Sequence, residues 1–169
     1  MINKELKSIG VFCGSCMGTH PVYAQKAGEL GTLIASQNMR LVYGGGAVGL
    51  MSTLADAVLE GRGTVIGVLP HFLDKKEIAH SHITEMLRVN SMSERKDKII
   101  ELSDAFIALA GGYGTCDELF EVLVGLQLGL HRKPIGILNT NGFYDPLFQQ
   151  LSRMKDEGFL NKNHHQMLV

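Results

Sequence analysis

With 169 residues, 45% of them apolar and 20% charged, the chain has the length and balance of one globular domain with a substantial buried core. Its formal net charge of −1 comes without any block of like charge, which argues against a nucleic-acid groove or an anionic membrane surface as the main partner. No apolar run reaches membrane-span length, the first seven residues lack signal-peptide character, and three cysteines are too few and too odd for a disulfide framework, so a cytoplasmic protein is expected.

In chain order, Ser8–Cys13 reads as a strand that runs into Gly14-Ser15-Cys16-Met17-Gly18, and a helix is expected over about 21–37. Arg40–Tyr43 is a second strand, followed by Gly44-Gly45-Gly46-Ala47-Val48-Gly49 and a helix over 48–60. Thr64–Leu69 is a third strand, ended by Pro70. The polar stretch 71–82 then reads as a mobile flap before a fourth strand at Ile83–Val89. A helix over 92–102 leads to a fifth strand, Ala105–Leu109, and to the turn Gly111-Gly112-Tyr113-Gly114-Thr115. Helix 116–129, strand Pro134–Leu138 and helix 144–156 follow, and 161–166 reads as a surface tail. Strands that alternate with helices and are apolar almost throughout predict an α/β fold of Rossmann-like type, a doubly wound parallel sheet in a three-layer α/β/α arrangement, as one domain over 1–169. Ligands of such sheets bind outside the carboxyl ends of the strands, where three glycine-rich turns fall here.

Gly44-x-Gly46-x-x-Gly49 matches the dinucleotide fingerprint, but the strand after it ends in Pro70 where an acidic residue would bind a ribose hydroxyl. NAD is therefore disfavoured and a mononucleotide is not. The same glycines could instead serve only to pack helix on strand. Gly111–Thr115 is more specific, because its glycines let successive backbone N–H groups converge at the positive end of a helix dipole. No lysine follows, so it is not a Walker A loop. Thr115-x-x-Glu118 also fits a capping box, which competes with a catalytic reading of Glu118. Gly125 and Gly129, on the face of Glu118, leave room there for a ligand or another backbone. In the preceding helix Met92, Arg95, Lys96 and Ile99 share one face, which would carry Arg95 toward the sheet's carboxyl edge, and Ser91 with Glu94 makes a second possible capping box. Cys13-x-x-Cys16 is read as incidental, and His80-x-His82 as surface histidine lacking the further ligands of a metal site, so no metal and no cofactor are expected.

Tyr43-Gly44-Gly45-Gly46-Ala47-Val48-Gly49-Leu50-Met51, Met92-x-x-Arg95-Lys96 and Gly111-Gly112-Tyr113-Gly114-Thr115-x-x-Glu118 together resemble the LOG ("Lonely Guy") family, from about Ser8 to Leu151. These are cytokinin riboside 5′-monophosphate phosphoribohydrolases, often mislabelled as lysine decarboxylases. The resemblance implies hydrolysis of the N-glycosidic bond of an adenosine-type 5′-monophosphate, with Arg95 and Glu118 as the catalytic pair. It implies substrate contacts from Met92, Lys96, Gly44, Gly45, Gly111, Gly112, Tyr113, Gly114 and Thr115, and from Glu77 near the base. It also implies a homodimer with its sites near the subunit interface, acting on a small nucleoside monophosphate. The chain departs from the family's usual residues at Ala110 (Pro), Ser52 (Gly), Val124 (Thr) and Cys116-Asp117 (Leu-Glu), which bears on base preference and leaves the pair intact. A non-catalytic nucleotide sensor or carrier on the same fold is the alternative. A dinucleotide-dependent oxidoreductase is a weaker one.

Overall fold

The computed structural model describes residues 6–74 and 79–160. Six strands, β1 (Ser8–Phe12), β2 (Arg40–Tyr43), β3 (Thr64–Pro70), β4 (Glu85–Val89), β5 (Ala105–Ala108) and β6 (Ile135–Ile137), form one sheet in the order β4-β3-β2-β1-β5-β6. Every pairing is parallel. Between them run α1 (Val22–Ser36), α2 (Gly49–Glu60), α3 (Met92–Leu102) and α4 (Tyr113–Gln127), and α5 (Asp145–Asp156) follows β6. The expected strands and helices are all present, with ends displaced by a few residues at most.

The strands are apolar on both faces because both faces are covered. On one side Ile34, Leu54 and Val58 of α1 and α2 pack with Ile9, Leu41 and Val65 of the sheet. On the other, Ile99 of α3 and Leu119 and Val122 of α4 pack with Phe12, Val42, Val68 and Phe106. Phe12 and Phe106 stack across β1 and β5 with ring centroids 5.7 Å apart. The result is the three-layer sandwich expected from the alternation of elements.

Strand order reverses at β1: β2, β3 and β4 lie to one side, β5 and β6 to the other. The crevice that a doubly wound sheet opens at such a point is the standard place for a ligand. Its walls are joined here by backbone bonds. Gly14 N–H donates to Ala110 O (3.0 Å), tying the β1 turn to the β5 turn, and Leu50 N–H donates to Gly14 O (3.1 Å), tying it to α2.

Two expectations change. Helix α4 begins at Tyr113 with Gly112 as its cap, three residues earlier than expected; its first turn includes Gly114 and Thr115, weak helix formers, of which Thr115 is buried. At the other end Gly129 does not extend the helix face of Glu118. It sits beyond the helix at φ +74°, where Leu130 N–H reaches Gly125 O (2.9 Å) and Gly129 N–H reaches Leu126 O (3.1 Å). That pattern is a Schellman stop, which favours glycine. Gly125 is not bare either: the His131 imidazole lies 3.1 Å from where its Cβ would be.

Candidate functional site

A cavity of about 530 Å³ lies at the reversal point. Its walls come from the β1 turn (Cys13, Gly14, Ser15), the β2 turn (Gly44, Gly46, Val48), the β5 turn (Gly112 to Thr115), and Arg95 and Glu118. Met51, Leu69 and Leu73 form an apolar part of the lining. Three turns far apart in sequence thus converge on one space.

Arg95 reaches the cavity because α3 starts where it does. Ser91 caps the helix by accepting from Glu94 N–H (3.1 Å), and the Glu94 carboxylate accepts from Asn90 N–H (2.8 Å). This is the expected capping box, its return bond landing one residue further back. From the first turn of α3 the guanidinium runs along the carboxyl edge of the sheet. Its Nε donates to Val68 O (3.1 Å) and its Nη2 to Gly44 O (3.4 Å), with Met92 Sδ 3.9 Å from Nη1. Gly44 is glycine for a steric reason, since a Cβ there would overlap Arg95 Nη2.

Glu118 faces Arg95 from α4, with Arg95 Nη2 3.5 Å from Glu118 Oε1 and the two side chains only 12% and 9% exposed. The contact is one of charge. Oε1 is buried and has no hydrogen-bond partner, in a protein where nearly every buried polar atom is expected to have one. Burial pushes the Glu118 carboxyl above its ordinary range, against the opposing pull of the Arg95 guanidinium. The capping-box reading of Thr115 and Glu118 does not hold. Gly112 is the cap, no side chain caps α4, and Thr115 is buried within the first turn. Gly112 and Gly114 have open space where a Cβ would be, so backbone N–H groups at the start of a 15-residue helix are accessible from the cavity. Tyr113, between them, is 98% exposed at its rim.

Not every expected site residue lines this space. Lys96 has its ammonium on Asp117 Oδ1 (3.2 Å) and Glu121 Oε2 (2.9 Å), between α3 and α4. Met92 stands behind the Arg95 guanidinium, Gly45 lies against Met86, and Gly111 lies against Thr115, whose Oγ1 a Cβ there would overlap. Glu77 and the tail 161–166 lie outside the described residues. His80 is not surface histidine: it is buried and bonded to Asp56, while His82 is exposed. The flap expected over 71–82 is held at both described ends, by Asp74 Oδ2 on Arg88 Nε (2.5 Å) and by a bridge between Ala79 and Gly46. Sequence reasoning missed Cys13, Ser15, Met51, Leu69 and Leu73 as lining. Cys13 and Ser15 sit at the carboxyl end of β1, in one of the three turns that the strand-end rule selects, but no motif singles out a residue within that turn.

The family model described as "Possible lysine decarboxylase" matches residues 51–169. The cytokinin riboside 5′-monophosphate phosphoribohydrolase LOG1 of Arabidopsis thaliana is 44% identical over 168 residues, covering 99% of this chain and 79% of the relative. The chain belongs to the LOG family. A cytokinin riboside 5′-monophosphate phosphoribohydrolase of Rhodococcoides fascians is 49% identical over 155 residues, covering 91% of this chain and 78% of its own length. Among solved structures, the molybdenum cofactor binding protein of Rippkaea orientalis superposes with a TM-score of 0.70 at 26% identity, over 89% of this chain and 87% of that one. The LOG fold is thus shared with a protein named for binding a cofactor. The fold by itself therefore does not separate an enzyme from a carrier.

Proposed function

We propose that this LOG-family chain hydrolyses the N-glycosidic bond of adenosine-type 5′-monophosphates of the cytokinin riboside class, releasing the free base and ribose 5-phosphate. The observation that carries this reading is the buried, unpartnered Glu118 oxygen opposite Arg95, one helical turn from an open glycine turn. Cleavage of such a bond builds positive charge on the ribose, and attack by water completes it. A carboxylate held in a desolvated site stabilises that charge strongly and can orient or deprotonate the water. Arg95 keeps Glu118 ionised enough to act and holds it in register with the substrate. The accessible N–H groups from Gly112 to Thr115 take the 5′-phosphate, and Met51, Leu69 and Leu73 give the base an apolar wall. Phosphate binding away from the reacting carbon then supplies orientation.

Since the Glu118 carboxyl is raised, activity that needs its carboxylate falls as pH drops through that raised value. The acid limb of kcat/KM is expected above the ordinary glutamate value of 4.5. The direct test is to incubate the protein with AMP and with N6-isopentenyladenosine 5′-monophosphate and to separate the products by chromatography. Free base and ribose 5-phosphate in equal amounts are expected. Binding without products supports the carrier reading, for which the likeness to the molybdenum cofactor binding protein is the specific argument.

The same reading includes a cytoplasmic homodimer. A groove of about 480 Å³ between α3 and α4, lined in part by Ile100, Phe120, Val124, Leu128 and Leu130, supports the homodimer, with Leu128 and Leu130 largely exposed. Light scattering on the purified protein should give twice the 18.5 kDa chain mass.

A further inference from the structure

His80 and Asp56 lie outside the cavity lining, yet they are joined to it by a short run of backbone. The His80 side chain is 6% exposed, and its Nδ1 accepts from His82 N–H (3.3 Å). A nitrogen that accepts carries no hydrogen, so the proton is on Nε2, which donates to Asp56 Oδ1 at 3.0 Å. The other Asp56 oxygen accepts from Ser52 Oγ (2.8 Å), one turn earlier on α2. Both nitrogens of the imidazole are thus committed, and α2 is tied to the chain entering β4. The backbone of the same residue continues the link. His80 N–H donates to Gly45 O (3.0 Å) and Ala79 bridges Gly46. Gly44, the next residue back, offers its carbonyl to Arg95 Nη2. The glycine turn after β2 is therefore held on one side by His80 and holds Arg95 on the other.

We propose that His80, anchored by Asp56, is a positioning residue for catalysis: it fixes the Gly44–Gly46 turn so that Arg95 stays beside Glu118. It acts through Arg95 and does not touch substrate. The inference rests on the proposed reading of the Arg95–Glu118 site. A turn of three glycines has little stiffness of its own, so its shape depends on what is bonded to it. A displacement of the Gly44 carbonyl by an ångström would misplace the guanidinium, and misplacement on that scale is costly to rate.

The test compares His80→Ala, His80→Gln, Asp56→Ala and the double variant His80→Ala/Asp56→Ala, with AMP and its N6-isopentenyl derivative as substrates. Asp56 has a half-exposed side chain, so Asp56→Ala is expected to fold even if His80→Ala does not. Expected is a fall in kcat of about tenfold in both single alanine variants, with KM changed less than threefold, since the phosphate turn is untouched. The double variant should be no worse than either single one, because both break the same link. His80→Gln, whose amide can still donate to Asp56, should recover most of the rate. An unchanged kcat in Asp56→Ala, multiplying losses in the double variant, or a loss confined to KM would overturn the proposal. A second readout separates it from the functional reading. In 15N-arginine-labelled protein the Arg95 Nε–H resonance, assigned with Arg95→Lys, should shift and exchange faster with solvent in Asp56→Ala. If the wild type hydrolyses neither substrate, the functional reading fails and this resonance alone decides. If the resonance is unmoved, the positioning role is overturned.

Discussion

Arg95 and Lys96 are neighbours in sequence, both reach across to α4, and they meet opposite fates. Lys96 is satisfied: two carboxylates, Asp117 and Glu121, hold its ammonium at 3.2 and 2.9 Å from positions open to solvent. Arg95 and Glu118 stand 3.5 Å apart in a desolvated space, with one carboxylate oxygen bonded to nothing. If packing were all that α3 and α4 needed, the first arrangement would serve for both. The second leaves a buried carboxylate in tension with its surroundings, as expected where a group is kept ready for a substrate rather than for the fold. On the proposed mechanism, two consecutive residues thus separate a clamp from a reacting centre.

The largest effect expected from breaking this contrast is at Arg95. Replacing it with alanine should lower turnover by about 10²–10³-fold. Arg95→Lys should recover little, because one ammonium nitrogen replaces the separate Nε and Nη2 donors that reach Val68 O and Gly44 O in a fixed fork. The next effect is on stability and has the opposite sign. Burial raises the Glu118 carboxyl, so the folded state binds its proton more readily than the unfolded chain and the ionised form is a cost at neutral pH. Glu118→Gln should therefore unfold at a higher temperature than the wild type at pH 7, a gain of about 0.5–2 kcal/mol. That gain should shrink as pH falls through the raised value and vanish below the ordinary 4.5, which thermal melts across pH will show. Lys96→Met should do less: about 1 kcal/mol or under of destabilisation by denaturant melts, since its partners are half exposed. A large rate loss in that variant would erase the distinction drawn between the two neighbours.

Much of this was legible in the chain. Alternating strand and helix patterns determined the sheet, because buried parallel strands leave a continuous apolar signal. Glycine turns at strand ends pointed to the cavity, and the Met92–Ile99 face correctly carried Arg95 inward. The start of α4 is not legible because propensity undervalues Gly114 and Thr115, of which Thr115 is buried against Gly111 in the first helical turn. Gly129 looked like part of a bare face and is a helix stop, since spacing alone cannot tell a face from a terminus. His80 was misjudged for a different reason. Its partner Asp56 is 24 residues away on another element, and no local pattern reports a bond that only tertiary packing creates.

On the proposed mechanism Glu118 acts in the reaction and not merely in the fold. The most direct measurement is paired: turnover of N6-isopentenyladenosine 5′-monophosphate by Glu118→Gln, and calorimetric binding of AMP to the same protein. The prediction is a rate at least about 10²-fold below wild type, with AMP binding within a few-fold of it, as the phosphate turn is unaltered. A Glu118→Gln protein that hydrolyses its substrate at the wild-type rate would contradict it.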